Sequence, residues 1–217
     1  RCDRCRKNSG VEEMKIEKFV TGIISTNCYL VINEETKQTV IIDPAASPAY
    51  LMNHLKSEGL KVEAIFLTHG HFDHMMGLDG FLKEYDVPVY EEDEEVLQDP
   101  RLNLSATYTE GYVFTKAETV QDGEILSFAG YEFRVIHTPG HTKGGCCYYV
   151  EAENVIFSGD TLFQASVGRT DFPNSSMSDL MHSIREKLLI LPDETKVYPG
   201  HMGETTIGYE KQNNPFI

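Results

Sequence analysis

Three histidines and an aspartate fall within six consecutive positions, His69-Gly70-His71-Phe72-Asp73-His74, directly after the apolar run Ala64-Ile65-Phe66-Leu67. Imidazole nitrogens and carboxylate oxygens are donors for zinc, iron or manganese, so the chemistry on offer is metal binding. The apolar run reads as a buried strand, which puts the histidines where the backbone leaves a sheet and turns toward a cleft. Residues two apart on an extended segment share a side, so His69 and His71 can reach one cation at about 2.0–2.1 Å. Asp73 and His74 follow where Met75 to Tyr85 takes on a helical pattern, and they can reach a second cation beside the first.

Three further strands each end in a residue of the same kind. Tyr131 to Ile136 alternates as a strand and is broken by Thr138-Pro139-Gly140 just before His141; Val155-Ile156-Phe157 ends in Ser158-Gly159-Asp160; Lys196-Val197-Tyr198 ends in Pro199-Gly200-His201. A glycine beside each of them lets backbone approach closely. Loops gathered at one sheet edge are where such sites are built. Taken singly, His141, Asp160 and His201 read as structural residues at least as readily as ligands; their common setting is what makes them candidates.

The motifs THGHFDH, HTPGHT, FSGDTLF, SVGRTDFP, YPGH and TTIGYEKQNNPF follow one another between about Met14 and Ile217. In that order they resemble the glyoxalase II-like thioesterases of the metallo-β-lactamase superfamily, in particular short single-domain members. The resemblance implies an α/β fold of the four-layer αββα type with metals along one edge between two sheets. It implies one metal held by His69, His71 and His141, a second held by Asp73, His74 and His201, and Asp160 as a carboxylate touching both. Two divalent cations are expected, zinc first, with iron and manganese also suited to these donors. Two cations side by side lower the pKa of a shared water, so hydroxide is available at neutral pH to attack a carbonyl, and the oxyanion that develops is stabilised by the same charge. No serine or cysteine nucleophile is required. The catalytic residue is expected to be Asp73, orienting the nucleophile or taking its proton. Arg169 resembles the family's basic contact to a thiol-bearing substrate, although Asp171 stands where the family often has an aromatic residue and an Arg169–Asp171 pair would serve structure equally well.

The expected function is therefore hydrolysis of a small-molecule thioester, such as a hydroxyacylglutathione. The alternative is a mononuclear iron persulfide dioxygenase, a class similar in the Gly168-Arg169-Thr170-Asp171-Phe172 segment, with iron on His69, His141 and Asp160. β-Lactam hydrolysis is discounted, because such enzymes generally carry secretion signals and the second ligand set here contains no cysteine. The helical domain that holds glutathione in glyoxalase II proper is expected to be lacking after His201.

Composition narrows the partners. The 217 residues include 19 basic and 34 acidic side chains, a net charge of −15. Nucleic-acid binding needs a basic surface, so no nucleic-acid partner is expected. At 41% apolar content a sizeable core can form. No run of 18 or more apolar residues marks a membrane span. Residues 1–13 are basic where the rest is acidic; their Cys2 and Cys5 make half of a zinc knuckle at most, and the segment reads as a flexible extension ahead of one catalytic domain, 14–217. Scattered cysteines in odd number and the lack of an apolar leader point to the reducing cytoplasm.

Elsewhere Cys28 to Ile32 and Thr39 to Ile42 read as a hairpin, Ser47-Pro48 as the start of a helix closing near Gly59, and Ser178 to Leu191 as an amphipathic helix ended by Pro192. Asp43 is expected to brace the histidine loop by accepting backbone hydrogen bonds. His137 reads as a packed neighbour of the site, and His54 and His182 as surface residues. The run from Glu91 to Glu95 reads as a solvated helix start rather than a calcium site, and Leu102 to Phe114 as a segment near the cleft.

Overall fold

The computed structural model describes residues 14–217, so Cys2 and Cys5 lie outside the described range. The first six strands are β1 (Met14–Thr21), β2 (Thr26–Asn33), β3 (Gln38–Ile42), β4 (Lys61–Phe66), β5 (Val89–Glu91) and β6 (Glu118–Thr119). They pair in that order, antiparallel from β1 to β3 and parallel from β3 to β6. The remaining strands are β7 (Ile125–Phe128), β8 (Tyr131–His137), β9 (Cys146–Val150), β10 (Val155–Gly159), β11 (Leu162–Phe163), β12 (Ser166–Val167), β13 (Lys196–Pro199) and β14 (Thr205–Thr206). A second sheet runs β14-β13-β10-β9-β8-β7, and β11 and β12 form a small hairpin. The helices are α1 (Ala49–Ser57), α2 (Phe72–Met75), α3 (Leu78–Glu84), α4 (Glu94–Gln98), α5 (Ser105–Tyr108), α6 (Met177–Ser183) and α7 (Ile207–Asn213).

Strand alternation sorts the apolar residues into three layers. Tyr29 and Val31 of β2 face the second sheet, packing with Phe66, Phe133, Val135, Tyr148 and Phe157. Phe66 anchors that layer, stacked on Tyr148 at 4.8 Å between ring centres and edge-on to Phe133 at 5.1 Å, arrangements that aromatic quadrupoles favour. Cys28, Leu30 and Ile32 point the other way, toward Leu51 and Leu55 of α1 and Leu78 and Phe81 of α3. On the far side of the second sheet, Tyr149, Ile156 and Val197 pack under Leu180, Ile184, Leu188 and Ile207. The result is the expected αββα sandwich, with β2, second from the edge of its sheet, buried along its whole length.

Local departures from the sequence reading have local causes. The helix expected over Met75 to Tyr85 is split into α2 and α3, because Gly77 lies against the chain at Pro44 and Ala46, where a Cβ would come within 2.5 Å of the Pro44 carbonyl oxygen. Pro48, extended at φ −68° and ψ 149°, is the N-cap of α1 in place of Ser47. The helix expected from Ser178 begins at Met177, capped by Ser176 Oγ accepting from the Asp179 N–H, and widens into a π turn over Ile184–Leu188. The acidic run is not solvated throughout: Glu91 and Asp93 are buried. Burial pushes the Glu91 carboxyl up to about 7 and that of Glu92 up to about 8. Among the described residues no helix is long and apolar enough to cross a membrane.

Candidate metal centre

The parallel strands β4, β10 and β13 end along one edge of the sandwich, and the candidate residues leave from those ends. His69 and His71 lie in the loop after β4, Asp73 and His74 in the single turn of α2, His141 between β8 and β9, Asp160 after β10 and His201 after β13. The fold brings all seven together. Their donor atoms form three overlapping groups, His69 with His71 and His141, His69 with His74 and Asp160, and Asp73 with His74 and His201, each within 4.8 Å.

In the first group His69 Nε2 is 3.1 Å from His71 Nδ1, which is 2.9 Å from His141 Nε2. Ligand atoms on a tetrahedral ion at about 2.0–2.1 Å stand roughly 3.3–3.4 Å apart, so this spacing suits three donors converging on one cation. In the second group His74 Nε2 is 3.3 Å from Asp73 Oδ2, and His201 Nε2 is 3.2 Å from the same oxygen. Asp160 sits between: its Oδ2 is 3.5 Å from both His141 Nε2 and His201 Nε2, and its Oδ1 is 3.5 Å from His74 Nε2.

Hydrogen bonds to the outer ring nitrogens set which atom faces inward. His141 Nδ1 donates to the Arg169 carbonyl oxygen at 2.8 Å, and His74 Nδ1 meets Asp43 Oδ2 at 2.9 Å. Both rings therefore turn Nε2 toward the centre. Asp43 also accepts from the Thr68 N–H and Oγ1–H at 2.8 and 2.7 Å, bracing the histidine loop as expected. Buried Nε2 of His71, buried Nε2 of His74 and buried Oδ1 of Asp160 have no hydrogen-bond partner. Of these, His74 Nε2 and Asp160 Oδ1 face the centre, and such orphaned donor atoms next to three converging imidazoles fit bound cations; His71 faces the centre with Nδ1, so its Nε2 lies on the far side of the ring.

Charge follows the same division. Burial, with the neighbouring histidines, holds His69 and His71 well below the ordinary histidine range, so both are neutral and ready to ligate. Burial opposes charge on His74 too, but Asp73, Asp43 and Asp160 outweigh it and raise its affinity for a proton well above the usual value. Burial likewise opposes ionisation of Asp73, yet His74 and His201 hold its carboxyl well below the carboxylate range. A proton on His74 and a cation against its Nε2 answer the same surplus of negative charge.

Several residues that place these groups carry no motif. Thr26 Oγ1 donates to Asp73 Oδ2 at 2.7 Å. Asn27 Nδ2 donates to the carbonyl oxygens of Pro199 and Met202, and the Tyr29 hydroxyl to that of Pro199 at 2.7 Å, so β2 of one sheet fixes the His201 loop of the other. Gly200 is held where a Cβ would stand 2.3 Å from Asp160 Oδ1 and 2.6 Å from His74 Cε1. A buried threonine, asparagine and tyrosine at the head of an apolar strand are the one sequence signal that could have marked them.

The cleft over these groups holds about 230 Å³, walled by Ile24, Phe72, Leu104, Tyr108, Phe163 and Phe172. Tyr108 stacks on Phe72 at 4.9 Å, whereas Tyr112 and Phe114 of the same segment join the layer under the outer helices. Arg169 is paired with Asp171 through Nε to Oδ1 at 3.0 Å and Nη2 to Oδ2 at 2.7 Å, and its guanidinium lies 4.5 Å over the Phe172 ring. His137 meets the Lys143 carbonyl oxygen and stays away from the donor groups, His182 is exposed, and His54 is half-buried against Glu17 at 2.6 Å. The three described cysteines are free and buried; burial pushes the Cys147 thiol up to about 11 and those of Cys28 and Cys146 further, leaving no thiolate nucleophile among them.

The chain belongs to the metallo-β-lactamase superfamily, whose family model matches residues 21–201. Within it, the chain is 34% identical over 210 residues to the hydroxyacylglutathione hydrolase GloC of Haemophilus influenzae, covering 94% of this chain and 98% of that one. Among solved structures, the BLEG-1 B3 metallo-β-lactamase is 40% identical with a TM-score of 0.87, covering 93% of this chain and 99% of the other. TTHA1623, crystallised in a di-iron-bound form, is 35% identical with a TM-score of 0.82 over 93% and 100%. ETHE1 from Myxococcus xanthus is 30% identical with a TM-score of 0.73 over 93% and 84%.

Proposed function

We propose that this chain is a binuclear metal-dependent hydrolase of small-molecule thioesters. In this reading His69, His71 and His141 hold one divalent cation, Asp73, His74 and His201 hold the other, and Asp160 reaches both. The observation that carries it is the second convergent set, with its orphaned His74 Nε2 beside Asp73 and Asp160. The likeness to a hydroxyacylglutathione hydrolase supports the thioester. The cations, when bound, supply hydroxide at neutral pH and polarise the carbonyl.

The protein's part is placement. Thr26 holds Asp73 with its carboxylate at the centre, where it orients the attacking oxygen. The aromatic wall of Phe72, Tyr108 and Phe172 excludes water around the acyl group. The Arg169–Asp171 pair is exposed and contributes little to stability, so its guanidinium is free to exchange Asp171 for a substrate carboxylate. Zinc is the proposed metal, and the reducing cytoplasm, compatible with free buried cysteines, the proposed compartment.

Elemental analysis of purified protein together with a thioester panel tests the reading. Two metals per chain and hydrolysis of S-lactoylglutathione or a related thioester, lost in Asp73→Ala and His201→Ala, is the expected result; metal-replete protein inert toward every thioester refutes it. A chromogenic cephalosporin in the same panel distinguishes thioester preference from the activity named for the 40%-identical neighbour. The second reading, a mononuclear iron dioxygenase of thiol persulfides using His69, His141 and Asp160, is favoured by the likeness to ETHE1. One iron per chain and oxygen uptake with a persulfide would replace the hydrolase by that reading.

A further inference from the structure

Asp93 precedes α4, where an aspartate ordinarily caps its own helix, yet its side chain makes no bond to that helix. The carboxylate is 3% exposed and turned the other way. Its Oδ2 accepts from the Gly70 N–H at 3.1 Å, and its Oδ1 accepts from the Gly144 N–H at 2.9 Å. Gly70 stands between His69 and His71 in the loop leaving the first sheet; Gly144 is in the loop that carries His141 into the second. One buried carboxylate thus ties together the two loops that supply the three-histidine set.

The contact leaves no room for side chains on either glycine. A Cβ on Gly70 would stand 2.8 Å from the Leu97 nitrogen, and one on Gly144 would stand 2.4 Å from the Glu92 carbonyl oxygen and 2.6 Å from Asp93 Cα. Burying a carboxylate is costly unless its oxygens are satisfied, and here each oxygen has its own backbone donor. Asp43 holds the other set directly through His74 and touches neither Gly70 nor Gly144; it meets the three-histidine set only through Thr68, whose Oγ1 lies 3.2 Å from His69 Nδ1.

We propose that Asp93 is a positioning residue specific to the three-histidine set: it fixes the distance between the His69–His71 loop and the His141 loop, and so sets the affinity of that set for its cation without affecting the Asp73–His74–His201 set. This rests on the binuclear reading above. Asp93→Asn keeps the shape but turns an amide donor toward one of the two N–H groups, breaking one tie. Outer partners of metal ligands are worth about 10–100-fold in affinity.

The test is a zinc titration of metal-free full-length protein against a chromophoric chelator, with His141→Ala and His201→Ala used to assign the two dissociation constants. Asp93→Asn is expected to weaken the three-histidine set about tenfold or more and to leave the other within about twofold. Equal weakening of both sets, or of neither, overturns the proposal. Wild-type protein that takes up no zinc refutes the binuclear reading instead. Should the variant not fold, amide hydrogen exchange on the wild type decides: Gly70 and Gly144 N–H groups exchanging as slowly as strand amides support the tie, and exchange at the rate of free amides overturns it.

Discussion

Replacing Asp43 by asparagine separates charge from shape at the second ligand set. Asp43 has a left-handed backbone, φ 52°, which asparagine tolerates. Its Oδ1 position can still accept the Thr68 N–H, and the Thr68 hydroxyl can rotate. His74 cannot adapt so easily. Its Nδ1 lies 2.9 Å from Asp43 Oδ2, and an amide nitrogen there would oppose the ring N–H, so the proton must move to Nε2. That is the atom facing Asp73 at 3.3 Å and Asp160 at 3.5 Å. A hydrogen bond to a charged partner is worth about 1.5–3 kcal/mol, which at about 1.4 kcal/mol per tenfold amounts to roughly ten- to hundredfold in the dissociation constant of this set. The three-histidine set, which Asp43 reaches only through Thr68 Oγ1, 3.2 Å from His69 Nδ1, should change less. Zinc titration against a chelator reads both values, and thermal unfolding of metal-free protein reads any general loss of stability. Unchanged affinity at the second set, or an equal loss at both, would refute the argument that Asp43 acts by selecting the His74 tautomer.

Thr26→Val removes the donor to Asp73 Oδ2 and is expected to lower kcat/KM about tenfold with metal content unchanged; steady-state kinetics beside elemental analysis check it, and full activity would exclude an orienting role for Thr26. Gly200→Ala places a Cβ 2.3 Å from Asp160 Oδ1, an overpacking that should cost about 1–3 kcal/mol in thermal unfolding and reduce metal loading; a variant with wild-type melting and loading would contradict that close approach. Acid should empty the two sets in order. His69 and His71 are held low and stay neutral below the ordinary histidine range, whereas His74 and His201 are raised and keep a proton that a cation must displace. Metal content should therefore fall from two toward one while pH is still above the range in which the three-histidine set is lost, read by equilibrium dialysis; simultaneous loss would contradict it. In metal-free protein the raised His74 and His201 stabilise the fold most below the unfolded histidine value and lose that contribution as pH rises through their folded values.

The ligand types were legible in the sequence because they are local: six adjacent positions hold four donors, and His141, Asp160 and His201 each follow a strand. The two-sheet architecture was legible in the same way, through alternation and turns. What could not be read was anything decided by contacts between distant segments. Asp93 lies in a run of acidic residues that reads as solvated surface, and only the approach of Gly70 and Gly144 makes it a buried tie. Asn27 and Tyr29 are ordinary strand residues until the loop at Pro199 and Gly200 comes to rest on them, and Thr26 until Asp73 does. The break between α2 and α3 depends on where Pro44 passes, which no helical periodicity records.

The ties from Asn27 and Tyr29 to Pro199 span 172 and 170 residues. A nascent chain emerging from the ribosome presents His69, His71, Asp73 and His74 long before His201, whose loop is fixed only once β13 has paired with β10 and the two sheets have closed on β2. In the binuclear reading, cation capture at the second set would come late in biogenesis, and each bound ion would then stabilise the finished fold by RT ln(1 + [M]/Kd). Metal supply in the cell would set the lifetime of the newly made protein as well as its loading, and starvation for the metal would leave a population more open to proteolysis along the edge where the two sheets meet.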